Sequence, residues 1–170
     1  MFRSEHHLRR SQAQALVEFA VILPVLLLMT LGMIDLGRSF TFGIGVQQGA
    51  RESARLGSRY AISAGGVSDA TVLQRLIDAS SPALWNCQAV QTLQTCAGGT
   101  WTFTLAVKPN GSATTYSSMA TAAANSTTLS GGQVTVTARG SVAMLGGYCL
   151  GQSLCLPSIS VQGQSSMELQ

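Results

Sequence analysis

The spacing of hydrophobic positions changes along this chain of 170 residues, and each change marks an element. Residues 19–34 read FAVILPVLLLMTLGMI, an uncharged run of about 16 residues, whereas about 20 are needed to span a bilayer. Ala15, Leu16 and Val17 before the run and Leu36 after it bring it to spanning length, provided that Glu18 is accepted inside it. A carboxylate at the centre of a membrane helix costs about 2.5–3.5 kcal/mol on insertion scales, and less near an end. Glu18 therefore needs a role. Pro24 is expected to kink or loosen the helix around it.

The helical pattern runs past the membrane segment. Residues 35–60 contain no proline and end in QQGARESARLGSRY. Gly45, Gly49, Ser53 and Gly57 recur every four residues, which places four small side chains along one helix face. Arg51, Arg55 and Arg59 form an adjacent basic row, with Glu52 placed to pair with Arg55 at i+3. Each glycine costs about 1 kcal/mol of helix propensity in water, so close contact with another element must compensate. Small-residue stripes favour helix–helix packing. Contact with other subunits is expected ahead of packing on the chain's own downstream domain.

After Tyr60 the composition turns to Ser, Thr, Ala and Gly. Ser68-Asp69 can cap a short helix reaching about Ala79, with Val72, Leu73, Leu76 and Ile77 as its apolar face. Three alternating runs then read as strands, at residues 100–108, 133–145 and 158–169. Residues 110–132, rich in Ser, Thr and Gly, read as a loop or a partly disordered stretch. Alternation of this kind belongs to half-exposed antiparallel strands. The fold class is α+β: a long N-terminal transmembrane helix extending into a small exported domain with an antiparallel sheet. The expected organisation is a basic cytoplasmic leader (1–13), a transmembrane helix (14–36), an exported helical extension (37–61) and an exported α+β domain (62–170).

Charge fixes the direction. Hydrophobic residues make up 46% of the chain and charged ones 10%, well below the roughly 25% of an ordinary soluble domain, as expected when part of the chain is solvated by lipid. Arg3, Arg9 and Arg10 precede the apolar run, with His6 and His7, and Asp35 follows it. By the positive-inside rule the N-terminus is cytoplasmic and the rest is exported. No A-x-A cleavage pattern follows the run, so it reads as a retained anchor rather than a secretory signal. After Arg75 the positive charges are Lys108 and Arg139, too few to bind nucleic acid.

The four cysteines, Cys87, Cys96, Cys149 and Cys155, all follow the anchor, where disulfides form. Neither pair has the short spacing of a zinc knuckle, and both histidines lie before the anchor, so no metal site is expected. Of three possible pairings, Cys87–Cys96 and Cys149–Cys155 close short local loops and are preferred. No histidine follows His7, so Ser–His and Cys–His nucleophile pairs are excluded from the exported part. Its carboxylates lack motif spacing, and its Gly-Gly pairs lack the lysine of a phosphate loop. Catalytic residues and cofactors are not expected.

The segments RRSQAQALVEFAVILPVLLLMTLGMIDLGRSF and VQQGARESARLGSRYA resemble the TadE-like family, pilin-like proteins of the bacterial tight-adherence (Flp, type IV-related) secretion and pilus machinery. The resemblance covers roughly residues 9–61 and rests on the ALVEFA start, the anchor proline, D-x-G-R and the repeated AR-x-x. It implies a minor pilin or pseudopilin at the bacterial inner membrane, with other pilin subunits, the Tad machinery and a prepilin peptidase as partners. Type IV-type precursors carry a glutamate at the fifth mature position. Mapped here, Glu18 sets the mature start at Gln14 and the cut after Ala13, where the family pattern has glycine. In pilins of this type that glutamate neutralises the N-terminal ammonium of a neighbouring subunit. The alternative is an uncleaved, membrane-anchored binding module that recognises an adhesin, polysaccharide or secreted substrate.

Overall fold

The computed structural model describes residues 4–60, 66–97, 99–126, 128–143 and 158–170, with backbone alone for 4–13. The chain divides into two units, Met1–Gly37 and Arg38–Gln170. Helix α1 spans Ser4–Gly57 and contributes to both.

In the first unit residues 14–34 are all exposed, among them Leu16, Val21, Leu28 and Met33. An 18-residue window there has a mean hydropathy of 2.4 and none of it is buried. A helix apolar on every side cannot satisfy its surface with water, and lipid is the solvent that suits it. Among the described residues α1 is the one helix long and apolar enough to cross a membrane. Pro24 lies inside it, and the helix continues beyond. The Thr30 hydroxyl donates back to the Leu27 carbonyl at 2.9 Å, so its polarity is met within the helix.

The second unit is α+β. Helix α2 covers Asp69–Ala79; strands β1 (Gln94–Cys96) and β2 (Gly99–Lys108) follow, then helix α3 (Met119–Asn125), β3 (Gln133–Val142) and β4 (Ile159–Glu168). The strands form one antiparallel sheet in the order β1-β2-β3-β4. Ser68 caps α2, its hydroxyl accepting from the Thr71 amide at 3.2 Å, and Val72, Leu73, Leu76 and Ile77 are buried, as the periodicity predicts. The three predicted strands are present, β3 ending at Val142; Met144 and Leu145, at the end of the predicted run, lie outside the described residues.

Alternation sorts the sheet into two faces. Trp101, Phe103, Leu105 and Val107 of β2 are buried with Val134, Val136 and Ala138 of β3. On the opposite face the register aligns Thr102 with Arg139 and Gln162, and Thr104 with Thr137 and Gln164. Hydroxyl and amide side chains make that face compatible with water, so one layer of helices completes the fold. Gly140 lies opposite Trp101, and a Cβ there would strike the indole ring.

The small-residue stripe of α1 covers the inner face. Val46, Ala50, Ser53 and Ala54 are fully buried. A Cβ on Gly49 would collide with the Ser80 hydroxyl; one on Gly45 would come within 3.1 Å of the Ala83 side chain; one on Gly57 would reach the Met119 methyl at 3.0 Å. The stripe is thus occupied by the chain's own α2, α3 and β3, which corrects the expectation that it faces other subunits. The physical reason is the antiparallel approach of α2: buried Ser80 fits only because Gly49 has no side chain, and its hydroxyl turns back to the Leu76 carbonyl at 2.6 Å. Ser53 likewise donates to the Ala50 carbonyl, at 3.0 Å.

Two elements escape the hydrophobic pattern. Helix α3 lies where a loop is expected, in residues 110–132, and buries only Met119 and Ala122. The Asp69 carboxylate, from the first turn of α2, accepts from the Met119 amide at 2.9 Å and supplies the cap that Ser118 does not. Strand β1 has three residues, too few for a period. At the other edge, the Gln47 side chain grips β4 on both sides of Gln164, donating to its carbonyl at 3.0 Å and accepting from its amide at 3.2 Å. An edge strand whose backbone is met this way is a poorer template for another chain.

This packing sets opposite outcomes for two glycines. Gly49→Ala should lower stability by about 1–3 kcal/mol through overpacking. Gly43→Ala, whose new methyl meets nothing within 4 Å, should gain up to about 1 kcal/mol from helix propensity. Thermal unfolding of the detergent-solubilised chain, followed by tertiary-structure circular dichroism, checks both.

Candidate assembly site on the N-terminal helix

The sequence places candidate functional residues in three groups, and the structure treats each differently. Ala13, Gln14 and Glu18 lie on α1 in the first unit. Gln14 and Glu18 are exposed and one helical turn apart, so they share a face; the side chain of Ala13 is outside the described residues. Glu18 stands among exposed Leu16, Val17 and Phe19. A carboxylate in such a setting is stabilised by a cation or hydrogen-bond donors brought by a partner, and this position can receive one because none of the described residues covers it.

The second group, Gly45, Gly49, Ser53 and Gly57, is consumed by internal packing as described. What α1 offers outward in the second unit is the row Arg51, Arg55 and Arg59, all exposed. Glu52 pairs with Arg55 at 3.4 Å, as its spacing predicts, and also with Arg75 of α2 at 3.7 Å, which the sequence did not disclose. These side chains are 40–58% exposed, so each pair contributes at most about 1 kcal/mol. Their consequence is positional: Glu52 ties the middle of α2 to α1 and leaves the row net positive. A cleft of about 340 Å³ lies among Glu52, Arg55, Leu56, Arg59 and Arg75.

The third group is the cysteines. Cys87 and Cys96 form a disulfide, as preferred. It closes a loop in which the Gln94 side chain accepts from the Gln88 amide at 2.9 Å and donates to its carbonyl at 2.8 Å. Cys149 and Cys155 lie outside the described residues. Among the described residues no three of His, Cys, Asp and Glu converge in a way that could hold a metal ion.

These features define a class: a chain with one candidate membrane-spanning helix whose continuation forms part of the core of a small, disulfide-bearing α+β head. Residues 13–55 match the family model of TadE-like protein, the family that the ALVEFA and AR-x-x segments resemble. The match associates the chain with the Tad pilus system. It covers the anchor and most of the helical extension and does not extend over the sheet. No curated protein and no solved structure matches the chain.

Removing the bridge tests its structural weight. With a sequence separation of 9, loop closure accounts for about 2.5 kcal/mol in the chain-entropy account. Cys96→Ser should therefore lower the urea midpoint of the solubilised chain by the equivalent amount, and reductant should lower the wild type without affecting the variant's β1 region further.

Proposed function

We propose that the protein is a minor pilin or pseudopilin of a Tad/Flp-type pilus assembly or secretion system, working by helix-mediated assembly at the bacterial inner membrane. Its N-terminus is cytoplasmic and its head exported, on the charge asymmetry of Arg3, Arg9 and Arg10 against Asp35. The observation that carries the reading is Glu18: an exposed carboxylate inside an exposed apolar helix, within the stretch that matches the TadE-like family. In an assembly, this carboxylate meets the N-terminal ammonium of a neighbouring subunit after a prepilin peptidase has removed residues 1–13. Such a pair adds little net stability, since both charges lose water; its contribution is register between subunits. The protein is no enzyme on this reading. With the glycine stripe committed to the head, contacts between subunits fall to the anchor and the exposed arginine row.

Two measurements test this. Intact mass of the protein extracted from its native membrane should show loss of residues 1–13; an uncut chain favours the anchored binding module, with Glu18 acting only within the membrane. Glu18→Ala should insert normally but fail to enter the assembly. Wild-type incorporation of that variant would sink the proposal.

A further inference from the structure

The positive charge of the second unit is unevenly spread. Of its seven Lys and Arg residues, three line a single cleft of about 340 Å³ in the groove between α1 and α2. Arg55 and Arg59 come from α1, one helical turn apart, so they share a face. Arg75 comes from the middle of α2 and meets them across the groove. Glu52 and Leu56 complete the lining.

Glu52 sets this arrangement. Its carboxylate lies 3.4 Å from the Arg55 guanidinium and 3.7 Å from that of Arg75, so it stands between the two helices. Both contacts are longer than the roughly 2.7–2.9 Å of a charge-assisted hydrogen bond. Glu52 therefore draws the two heads together without saturating the N–H donors that each guanidinium carries. The carboxylates of α2 are engaged elsewhere: Asp69 accepts from the Met119 amide and Asp78 from the Gln74 side chain, both at 2.9 Å. Three guanidiniums and one carboxylate give the lining a formal balance of two positive charges.

The chemistry that suits such a lining is a dianion with several oxygens. A carboxylate offers one charge, and Glu52 already supplies that. A phosphate monoester carries close to two charges at neutral pH and presents three acceptor oxygens. A planar guanidinium meets two of them with parallel N–H donors, which a lysine ammonium does not. The volume falls at the small end of ligand sites, which run from about 300 Å³ upward, so it holds the phosphate with a small substituent against Leu56. Arg51, exposed on the same row of α1, is not part of this lining and has no second helix opposite it to close a site.

We propose that the cleft between α1 and α2 is an anion site for a phosphate monoester, gripped by Arg55 and Arg75 with Arg59 as a third cation. The site lies wholly within the second unit and is independent of the pilus reading. A soluble ester and the headgroup of phosphatidic acid offer the same group.

The test uses the full isotope-labelled chain in non-ionic detergent micelles, with glycerol 3-phosphate as the probe and the arginine Nε–H resonances as the readout. Those of Arg55, Arg59 and Arg75 should move on one saturating curve while that of Arg139, on the sheet, stays still. Arg75→Gln should raise the half-saturating concentration read at Arg55 about tenfold or more, and Arg139→Gln should leave it unchanged. Both side chains are exposed, so the fold survives either change, and unaltered methyl resonances check this. Acetate at matched ionic strength should give no saturating shift. Non-saturating shifts shared by every arginine overturn the proposal, as do an unchanged midpoint in Arg75→Gln and an equal response to acetate. So do shifts of the three that appear without probe as protein concentration rises, which identify a carboxylate of a second copy as the occupant. Phosphatidylcholine nanodiscs with and without phosphatidic acid separate the two sources. A response to glycerol 3-phosphate abolished by phosphatidic acid assigns the headgroup, and an undiminished one assigns the soluble ester.

Discussion

The head depends on a helix face that lacks side chains. Gly45, Gly49 and Gly57 together cost about 3 kcal/mol of helix propensity. In exchange the end of α2 and the turn after it come close enough to seat Ser80 against Gly49 and Ala83 against Gly45, and α3 seats Met119 against Gly57. Leu73, Leu76, Leu84 and Met119 are almost completely buried in the core that results, and each contributes about 1.5–3 kcal/mol by leaving water. Burial outweighs propensity by a wide margin. The same trade explains the buried serines of both helices, whose hydroxyls turn to carbonyls of the preceding turn and need no partner across the interface.

That commitment shapes how the chain can associate. A glycine stripe on a helix following a membrane anchor looks like a surface for another helix, and so it is, but the other helix lies in the same chain. Surfaces left for a neighbour are then of two chemical kinds. The anchor presents hydrocarbon interrupted near its start by the Glu18 carboxylate, and the extension presents the arginine row beside Glu52. In lipid an unpaired carboxylate costs more than any dispersion contact returns, so on the proposed reading Glu18 sets the register of the anchor against a neighbour, which a uniform apolar helix would lack. The arginine row is solvated and screened by salt; it steers rather than holds.

What could be read from the sequence follows from where the physical signal is periodic. Helix α2 was legible to its cap, because Ser68 and the spacing of Val72, Leu73, Leu76 and Ile77 agree. Strands β2, β3 and β4 alternate over ten residues each, long enough to identify. Strand β1 and α3 were not legible. One has three residues held by a disulfide and glutamine side chains; the other is a short alanine run whose cap comes from Asp69, fifty positions away. The stripe is visible in the sequence and its partner is not, since small residues announce close approach without saying to what. Gln47 carried no signal at all, because a glutamine that meets an edge strand looks like any surface glutamine until β4 is in place.

The division of labour along α1 has a further consequence. Residues 38–57 of the helix belong to the core of the head, through Phe42, Val46, Ala50 and Ala54, so the head has no complete inner layer without them. Helix α1 is assigned without a break over Ser4–Gly57, and no Pro- or Ser-rich stretch lies between Leu36 and Val46. A side chain added to the stripe disturbs the head although it lies on the helix that continues the anchor. Conversely, selection for close packing inside the head fixes the sequence of that helix beyond what membrane insertion requires. The repeated small residue and the AR-x-x pattern, which resemble a family signature for assembly, are in this chain equally the signature of a core.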